Sequence, residues 1–310
     1  MFYVIVITFG LIHMLELKNY GKSTIRLNNI DYYYTDEYTF DLDKKPGFNI
    51  AFGISYYDHN RTMPIEPDYG EVVAKIKRWN ETELINFSDI KLRLCTKEEL
   101  GLGGPETLDD SKFYPPHKNS LGFLEFYWQK LYCYDDIIDI HGSYNSADAS
   151  HLQFSFAKCD SSVRSTCKSE DEIAEYMDKL FLIHVHNSIR FVQNQYEDKR
   201  LSYESRFVWH KLKDYRGQEK IYEINNKEIT LQDSRLMHLA GLTEEGTMAF
   251  DVEYKGDRPY EFKDNVHATV SFEMFLDLAT ASRDVYTILN LVGEVGGLGW
   301  GLGFFLSILV

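Results

Sequence analysis

The chain has 310 residues, and its 33 lysines and arginines against 48 aspartates and glutamates give a formal net charge of −15. So acidic a chain lacks the excess of cations that neutralises phosphates, which argues against nucleic-acid binding and against a polybasic contact with anionic lipid. With 44% hydrophobic and 26% charged residues, the composition excludes a disordered chain and allows a sizeable buried core.

The chain begins with an apolar segment, Phe2 to Leu15, whose fourteen residues include no Asp, Glu, Lys or Arg. As a helix it would cover about 21 Å, which is short of the roughly 30 Å hydrocarbon core of a bilayer. No basic segment precedes it and no small-residue cleavage pattern follows it, which argues against a signal peptide. We predict that residues 1–17 are the C-terminal part of a first transmembrane helix; a buried helix of a soluble domain is the alternative.

Residues 18–283 predict one β-rich domain. Phe48, Ile50, Phe52, Ile54 and Tyr56 alternate with smaller or polar residues, which is the two-residue period of a half-buried strand. Similar stretches are at 72–79, 90–94, 122–131, 151–157, 181–186, 219–224, 248–254 and 266–273. Short strands at such intervals favour a mainly β fold, specifically an antiparallel β-sandwich with one or two short helices.

The clearest helix signal of this domain starts at Ser169. Ser169 and Glu172 form the S-x-x-E pattern of a capping box, and Ile173, Tyr176 and Leu180 follow at helical spacing. The sequence therefore predicts a short helix after Ser169.

All four cysteines, Cys95, Cys133, Cys159 and Cys167, lie in the middle domain. An even number suits disulfides in an oxidising compartment, and nearness in the sequence favours Cys95 with Cys133 and Cys159 with Cys167. On the loop-closure relation these bonds would contribute roughly 3.9 and 2.6 kcal/mol. A metal site is the alternative, but the sequence has no CxxC and the spacing is irregular.

Three N-glycosylation triplets lie in the same region, at Asn60, Asn80 and Asn86. Such triplets often arise by chance, so they support a location without establishing it. Together with the cysteines, they predict that the domain is extracellular or lumenal.

Catalytic and cofactor motifs are scarce. The sequence has no G-x-S-x-G, H-E-x-x-H, P-loop or dinucleotide fingerprint. His184 and His186 would lie on one face of a strand and could bind a metal ion if a third ligand converged; polar positions on an ordinary strand are the commoner explanation. The acidic stretch 135–139 followed by His141 could be a calcium loop, although the EF-hand spacing is absent. We predict no catalytic, metal or cofactor site, and that the protein is not an enzyme.

The last segment, 284–310, is the strongest candidate for a membrane span, because from Val285 onward Glu294 is its only charged residue. Gly293, Gly297 and Gly301 recur every four residues, so they would line one face of a helix and let another helix approach closely. The sequence therefore predicts two spans with both ends on the same side of the membrane. We also expect the protein to continue beyond both ends of this sequence.

Glu294 is the informative residue of this segment. A carboxylate at the centre of a spanning helix costs about 2.5 to 3.5 kcal/mol, so it should face a partner helix or water. Two interpretations stay open at this point: Glu294 lines a cation path, or it lies near a membrane surface.

Six short stretches from residue 94 onward carry a resemblance to a known family. They are LCT at 94–96, KLYC at 130–133, KCD at 158–160, TCKSEDEI at 166–173, VYTIL at 285–289 and GEVGGL at 293–298. They resemble a large set of two-pass transmembrane proteins of ciliated protozoa, some of which are labelled cation channels. The step Val295-Gly296-Gly297 and the two-span order are also similar to degenerin and epithelial sodium channels, which are trimers with a disulfide-bonded ectodomain. Secretory-pathway cargo receptors have a looser similarity of the same kind.

Three functions are compatible with these features. We favour a structural or adhesive subunit of an oligomeric membrane assembly, formed with copies of itself or with related two-pass subunits. The alternatives are a cation-channel subunit whose last helix lines the pore, and a lumenal receptor of the secretory pathway. Each has the lipid bilayer as a partner, excludes nucleic acid, and places the protein at the cell surface, including the cilium, or in the secretory pathway.

Overall fold

The computed structural model describes residues 2–19, 24–31, 39–41, 50–56, 67–80, 83–96, 113–114, 131–134, 138–142, 146, 148–192, 201–211, 218–232, 247–259, 266–275 and 277–309. The helices are α1 (Phe2–Asn19), α2 (Glu170–Asp178) and α3 (Ile288–Leu309). The first strands are β1 (Thr24–Asp31), β2 (Thr39–Asp41), β3 (Ile50–Tyr56), β4 (Gly70–Asn80), β5 (Glu83–Ile90), β6 (Leu92–Leu94), β7 (Phe113–Tyr114) and β8 (Tyr132–Tyr134). The remaining strands are β9 (Asp139–His141), β10 (Asp148–Lys158), β11 (Leu180–Phe191), β12 (Leu201–Lys211), β13 (Gln218–Gln232), β14 (Thr247–Pro259), β15 (Val266–Met274) and β16 (Asp277–Asp284).

The described strands form one sheet, which confirms a mainly β fold. Its main path is β2-β9-β10-β15-β13-β14-β11-β3-β8-β6. The other strands are hydrogen-bonded to strands of this path or to one another: β1, β4, β5, β7, β12 and β16. Because hydrogen bonds link all these strands, the sandwich of two separate sheets that the sequence favoured is not confirmed. The predicted strand at 122–131 lies outside the described residues except for its last position.

The sheet is strongly curved. In a flat sheet, the four steps from β15 to β3 would separate these strands by about 19 Å, since neighbouring strands lie roughly 4.8 Å apart. The ring centroids of Phe52 on β3 and Phe272 on β15 are only 5.9 Å apart. The sheet therefore folds over on itself and encloses the main core, to which Phe154 and Leu182 also belong.

β11 is buried on both of its faces. Leu182 points into the main core, whereas Ile183 and Val185 pack in a second cluster with Cys95 and Cys133. These two cysteines form a disulfide, as their spacing in the sequence predicted. A strand covered on both sides needs apolar residues at nearly every position, which explains the run FLIHV in this segment.

The second predicted disulfide, Cys159 to Cys167, is also present and closes the loop between β10 and α2. Ser169 caps α2 with the predicted capping box, in which its side chain and that of Glu172 each bond the other's backbone N–H. Leu180, which the periodicity placed on the helix, instead begins β11.

The predicted end segments are both helices. β1 and β16 pair antiparallel, with Thr24 opposite Asp284. The end of α1 and the start of α3 are therefore neighbours at one edge of the sheet, and the two helices lie side by side. The 18 residues of α1 cover about 27 Å, and Glu294 interrupts the apolar sequence of α3. Within the described ranges, neither of these helices is long and apolar enough to cross a membrane, so the prediction of two transmembrane helices is not confirmed.

We expect Gly70→Ala to destabilise the protein. A Cβ at Gly70 would lie 2.4 Å from the Ala157 carbonyl oxygen and 2.6 Å from Cζ of Phe156. Both distances are too short, and the backbone of β10 could move away only at a cost in free energy. The free energy of unfolding, measured by urea titration with the disulfides intact, should fall by about 1 to 3 kcal/mol. Gly297→Ala is the control, because its Cβ would meet no described atom within 4 Å. Equal urea midpoints for Gly70→Ala and the parent protein would contradict the packing described.

Candidate functional site: a buried row of histidines

Three histidines and a tyrosine form a row inside the main core. Strand alternation puts His184 and His186 on the core face of β11 together with Leu182. β12 runs antiparallel to β11 and places His210 opposite Leu182. Tyr222 reaches the same place from β13. We call His184, His186, His210 and Tyr222 the histidine row.

The rings of the histidine row stack in sequence. The ring centroid of His184 is 5.3 Å from that of His186 and 5.0 Å from that of His210. Nε2 of His210 and Nδ1 of His184 are 3.0 Å apart and share a hydrogen bond whose donor depends on the tautomers. The Tyr222 hydroxyl lies 3.4 Å from the same Nε2. His184 is therefore the central member of the row.

The histidine row is almost fully shielded from water. The exposed fractions are 0% for His184, 1% for His186 and 3% for His210. Nε2 of His184 and both ring nitrogens of His186 have no hydrogen-bond partner among the described residues. A buried polar atom without a partner costs about 1 to 3 kcal/mol. Packing alone would be served better by leucine or phenylalanine, so the imidazoles point to a functional role.

The histidine row is neutral at pH 7. Burial lowers the pKa of His186 and of His210 to about 4. Burial also holds the pKa of His184 well below its ordinary range, and repulsion from a protonated His210 or His186 adds to this. Because the charged form is disfavoured in an apolar core, these imidazoles take up protons only at a large free-energy cost.

A metal ion is the first ligand that neutral imidazoles suggest. The His184 ring is stacked on those of His186 and His210, with interplanar angles of 25° and 22°, so the nitrogen lone pairs, which lie in the ring planes, do not point at one shared ion. In the part of the chain that the structure describes, no group of three or more His, Cys, Asp or Glu residues could hold a metal ion. The third ligand on which the sequence-based metal hypothesis depended is thus not supplied by His210.

A second buried polar group lies on the opposite face of the sheet. Glu219 accepts hydrogen bonds from Gln153 at 3.0 Å and from Ser271. The Arg258 guanidinium lies 3.8 Å from both the Glu219 and the Glu273 carboxylates. Burial raises the pKa of Glu273. This charged layer, built from β4, β10, β13, β14 and β15, is held together by pairing of opposite charges.

Two further cations complete the charged layer. Lys255 lies 3.2 Å from Glu273 and also pairs with Glu223, while Lys77 lies 3.9 Å from Glu219. Burial lowers the pKa of Lys77 and the Glu219 carboxylate raises it, so the charge of Lys77 depends on Glu219. The charged layer makes the pairing of its strands specific, because a shift in register would leave buried charges unpaired.

Glu294 has its partners within the chain. Its carboxylate lies 3.4 Å from Nε2 of His13 on α1 and accepts a 2.9 Å hydrogen bond from the Tyr286 hydroxyl. Nδ1 of His13 lies 2.5 Å from Glu16, so the cluster is polar on both sides of the imidazole. We call these four residues the polar base of the helix pair. The expected partner helix of Glu294 is therefore α1.

The glycine face of α3 is not the face that α1 contacts. A Cβ at Gly293, Gly297 or Gly301 would meet nothing within 4 Å among the described residues, whereas one at Gly10 on α1 would lie 3.8 Å from Val295. A role of these three glycines in packing or in a pore stays a prediction.

The glycosylation candidates differ in what the structure says of them. Asn80 is exposed at the end of β4. Asn86 lies in β5 opposite Arg78. Asn60 lies outside the described residues. Glycosylation at these positions stays a prediction.

The suggested calcium loop is described only in part. Residues 135–137 lie outside the described residues. The His141 ring lies 3.3 Å from Asp139 and 3.4 Å from Asp148, so these carboxylates face an imidazole.

Comparison with known proteins identifies the family. A family model described as the N-terminal domain of an uncharacterised 80 kDa protein matches residues 51–277. The chain belongs to this family. The matched range contains the histidine row, the charged layer and both disulfides.

Other comparisons add little to the family assignment. No curated protein matches the chain. The crystal structure of Erv41p is 11% identical, with 83% of this chain and 99% of that chain covered and a TM-score of 0.29. A likeness at that level carries no argument about fold or function. The resemblances to ciliate two-pass proteins and to sodium channels are untested by these matches and stay predictions.

Sequence patterns alone missed most of the candidate site. His210 and Tyr222 lie in strands whose pairing with β11 no local pattern reveals. The charged layer was missed because Glu219 and Glu273 occupy alternating strand positions that ordinarily face water. The one available signal was the pair His184 and His186 within an otherwise apolar run.

We expect Arg258→Met to destabilise the domain by about 3 kcal/mol at pH 7, since Glu219 and Glu273 would stay buried with one cation fewer. The loss should shrink at pH 5. Burial already raises the pKa of Glu273, and removal of Arg258 would raise it further, so the native variant binds a proton that the unfolded chain has released.

Urea titrations of the variant and the parent protein at both pH values measure this difference. Arg164→Met is the control, because Arg164 is exposed and its guanidinium donates only to the Pro67 carbonyl among the contacts described. If Arg258→Met lowers the free energy of unfolding by the same amount at pH 5 and pH 7, Arg258 does not affect the pKa of Glu273.

Proposed function

We propose that this chain is a domain of the secretory pathway or cell surface that serves as a structural or adhesive part of a membrane-bound assembly. The observation that carries the proposal is the pair of apolar helices, α1 and α3, that leave a disulfide-bonded sheet side by side. The helices attach the domain to a lipid bilayer, and the sheet presents the surface that other subunits contact.

The cysteines support the compartment. All four are paired in two disulfides, and none is free. Disulfides of this kind persist in the secretory pathway and outside the cell, whereas the cytosol reduces them. The proposal therefore places the sheet on the lumenal or extracellular side.

The exposed surfaces of the helices support attachment to lipid. Large apolar side chains with at least 44% exposure are found on both helices: Val4, Ile5, Ile7, Leu11, Ile12, Met14 and Leu15 on α1, and Leu289, Val292, Trp300 and Phe304 on α3. On α1 these positions cover one continuous half of the helix circumference, on the side away from His13. So wide an exposed apolar face is typical of a surface that contacts lipid or another subunit, and both contacts are part of the proposal.

The polar base lies at the proposed boundary between lipid and water. His13, Glu16, Glu294 and Tyr286 lie at the sheet end of the helix pair. Beyond them, residues 2–12 and 295–309 contain no charged side chain. These partners within the chain support a position of Glu294 near a membrane surface rather than along a cation path.

Assembly with further copies is part of the proposal. Gly293, Gly297 and Gly301 remain exposed or half-buried after α1 has packed against α3, which leaves a face of small residues for the helix of another subunit. A lumenal receptor is the second candidate. The histidine row favours it, because the pH falls along the secretory pathway and buried neutral imidazoles respond to acid.

Charged substitutions on the helices should abolish attachment to lipid. We expect Val4→Glu and Trp300→Glu each to lower the fraction of protein that floats with neutral phosphatidylcholine vesicles by tenfold or more, since a buried carboxylate costs about 2.5 to 3.5 kcal/mol. Val163→Glu is the matched control, because Val163 is 84% exposed on the Cys159–Cys167 loop, away from the helices. Flotation that survives both helix substitutions would exclude the proposed attachment.

Glycosylation tests the compartment separately. When the full chain is expressed in eukaryotic cells, we expect an N-glycosidase-sensitive mass on Asn80, which is exposed and begins the triplet Asn80-Glu81-Thr82. Asn80→Gln should remove one glycan without changing the fold. A chain that carries no glycan and keeps its cysteines reduced would contradict a lumenal domain.

A further inference from the structure

The histidine row lies across the boundary between two strands. His184 and His186 belong to β11 and His210 belongs to β12, and the 3.0 Å hydrogen bond between Nδ1 of His184 and Nε2 of His210 joins the strands inside the core. That bond needs one nitrogen to accept. Once both rings are protonated, two N–H groups would face each other, so the contact becomes repulsive.

Charged groups flank the His186 end of the row. Arg206 on β12 lies opposite His186, and Arg190 lies further along β11. Both arginines pair with Asp251 on β14, at 2.7 Å for Arg190 and 4.0 Å for Arg206. Burial has the largest effect on the pKa of His186 and lowers it. The Asp251 carboxylate raises this pKa and the Arg190 guanidinium lowers it, so the imidazole is neutral.

The His210 end of the row is flanked in a similar way. Lys220 on β13 pairs with Asp257 on β14, and Tyr254 donates to the same carboxylate. Lys220 opposes a proton on His210 and Asp257 favours it. From β3 and β15, the rings that the structure describes next to His184 are those of Phe52 and Phe272, which carry no charge.

We infer that the histidine row is a proton-operated switch that releases β12 from β11 when the surroundings become acidic. β12 is the strand that moves, because the core behind β11 holds that strand in place. Ile183 and Val185 of β11 are buried against the Cys95–Cys133 disulfide, whereas Phe207 of β12 lies there only partly buried, and β3 pairs with β11 along its other edge. Besides β11, the described partner of β12 is the two-residue strand β7.

The expected size of the response follows from proton linkage. An imidazole that is neutral in the closed state and titrates near pH 6.5 in the open state raises the opening equilibrium constant about tenfold between pH 7.5 and 5.5. Three such imidazoles give about a thousandfold. The sign is fixed by the lowered pKa values: opening is favoured as the pH falls through 6.5 and is suppressed above it.

Amide hydrogen exchange of the intact, oxidised chain tests this switch. In the parent protein, the protection of residues 201–211, corrected for intrinsic exchange rates, should fall about a thousandfold between pH 7.5 and 5.5. His186→Leu should reduce the change to about a hundredfold. Because both ring nitrogens of His186 lack a described hydrogen-bond partner, this variant loses no hydrogen bond and should fold at least as well.

Two further variants keep the test decisive. The double variant His184→Leu/His210→Leu removes both partners of the central hydrogen bond and should leave about a tenfold change. Val185→Ala is the control: it keeps all three histidines and lies on the opposite face of β11, so it should weaken protection equally at both pH values.

Several results would overturn the inference. One is a pH response that is unchanged in both histidine variants. Another is loss of protection across the whole sheet at pH 5.5, which would be global unfolding. A third is protection that Zn²⁺ increases at pH 7.5 in the parent but not in His186→Leu, which would make the row a metal site. The switch does not depend on attachment to lipid, so vesicle flotation can fail without affecting it.

Discussion

β11 is buried on both faces because the sheet folds over on itself, and the other features of the domain depend on this burial. One face of β11 closes the main core, and the other packs on the cluster around Cys95 and Cys133. Residues at this position cannot reach water, so every polar group placed there must find a partner or remain unsatisfied. The histidine row is unusual because three imidazoles lie on this strand and its neighbour β12, and Nε2 of His184 and both ring nitrogens of His186 have no hydrogen-bond partner in the part of the chain that the structure describes.

The charged layer on the opposite face of the sheet also buries polar groups, but there the polar groups are paired with opposite charges. Glu219 and Glu273 are as deeply buried as the histidines, yet Arg258, Lys255 and Lys77 surround them with opposite charge. A buried ion-pair layer specifies strand register more than it adds stability. The two polar groups thus have different consequences: the charged layer fixes the arrangement of the sheet, and the histidine row makes part of it sensitive to protons.

The helix pair relates the domain to its proposed setting. The antiparallel pairing of β1 with β16 brings the two ends of the chain to one edge of the sheet, so both apolar helices leave in the same direction. The polar base around His13 and Glu294 separates this apolar part from the water-facing sheet. A lumenal domain attached in this way would experience the falling pH of the secretory pathway, which gives the histidine row a natural signal.

The sequence by itself determined the local features: the strand alternation of β3, β4 and β10, the capping box at Ser169, the disulfide pairings and the apolar end segments. These depend on neighbouring residues or short loops, so a one-dimensional pattern contains them. Only the tertiary structure decided that the strands join in one curved sheet, that His210 meets His184, that Arg258 lies between Glu219 and Glu273, and that Glu294 faces α1. Those contacts join residues from 15 to 281 positions apart, and the strand pairing that creates them depends on how the whole core closes.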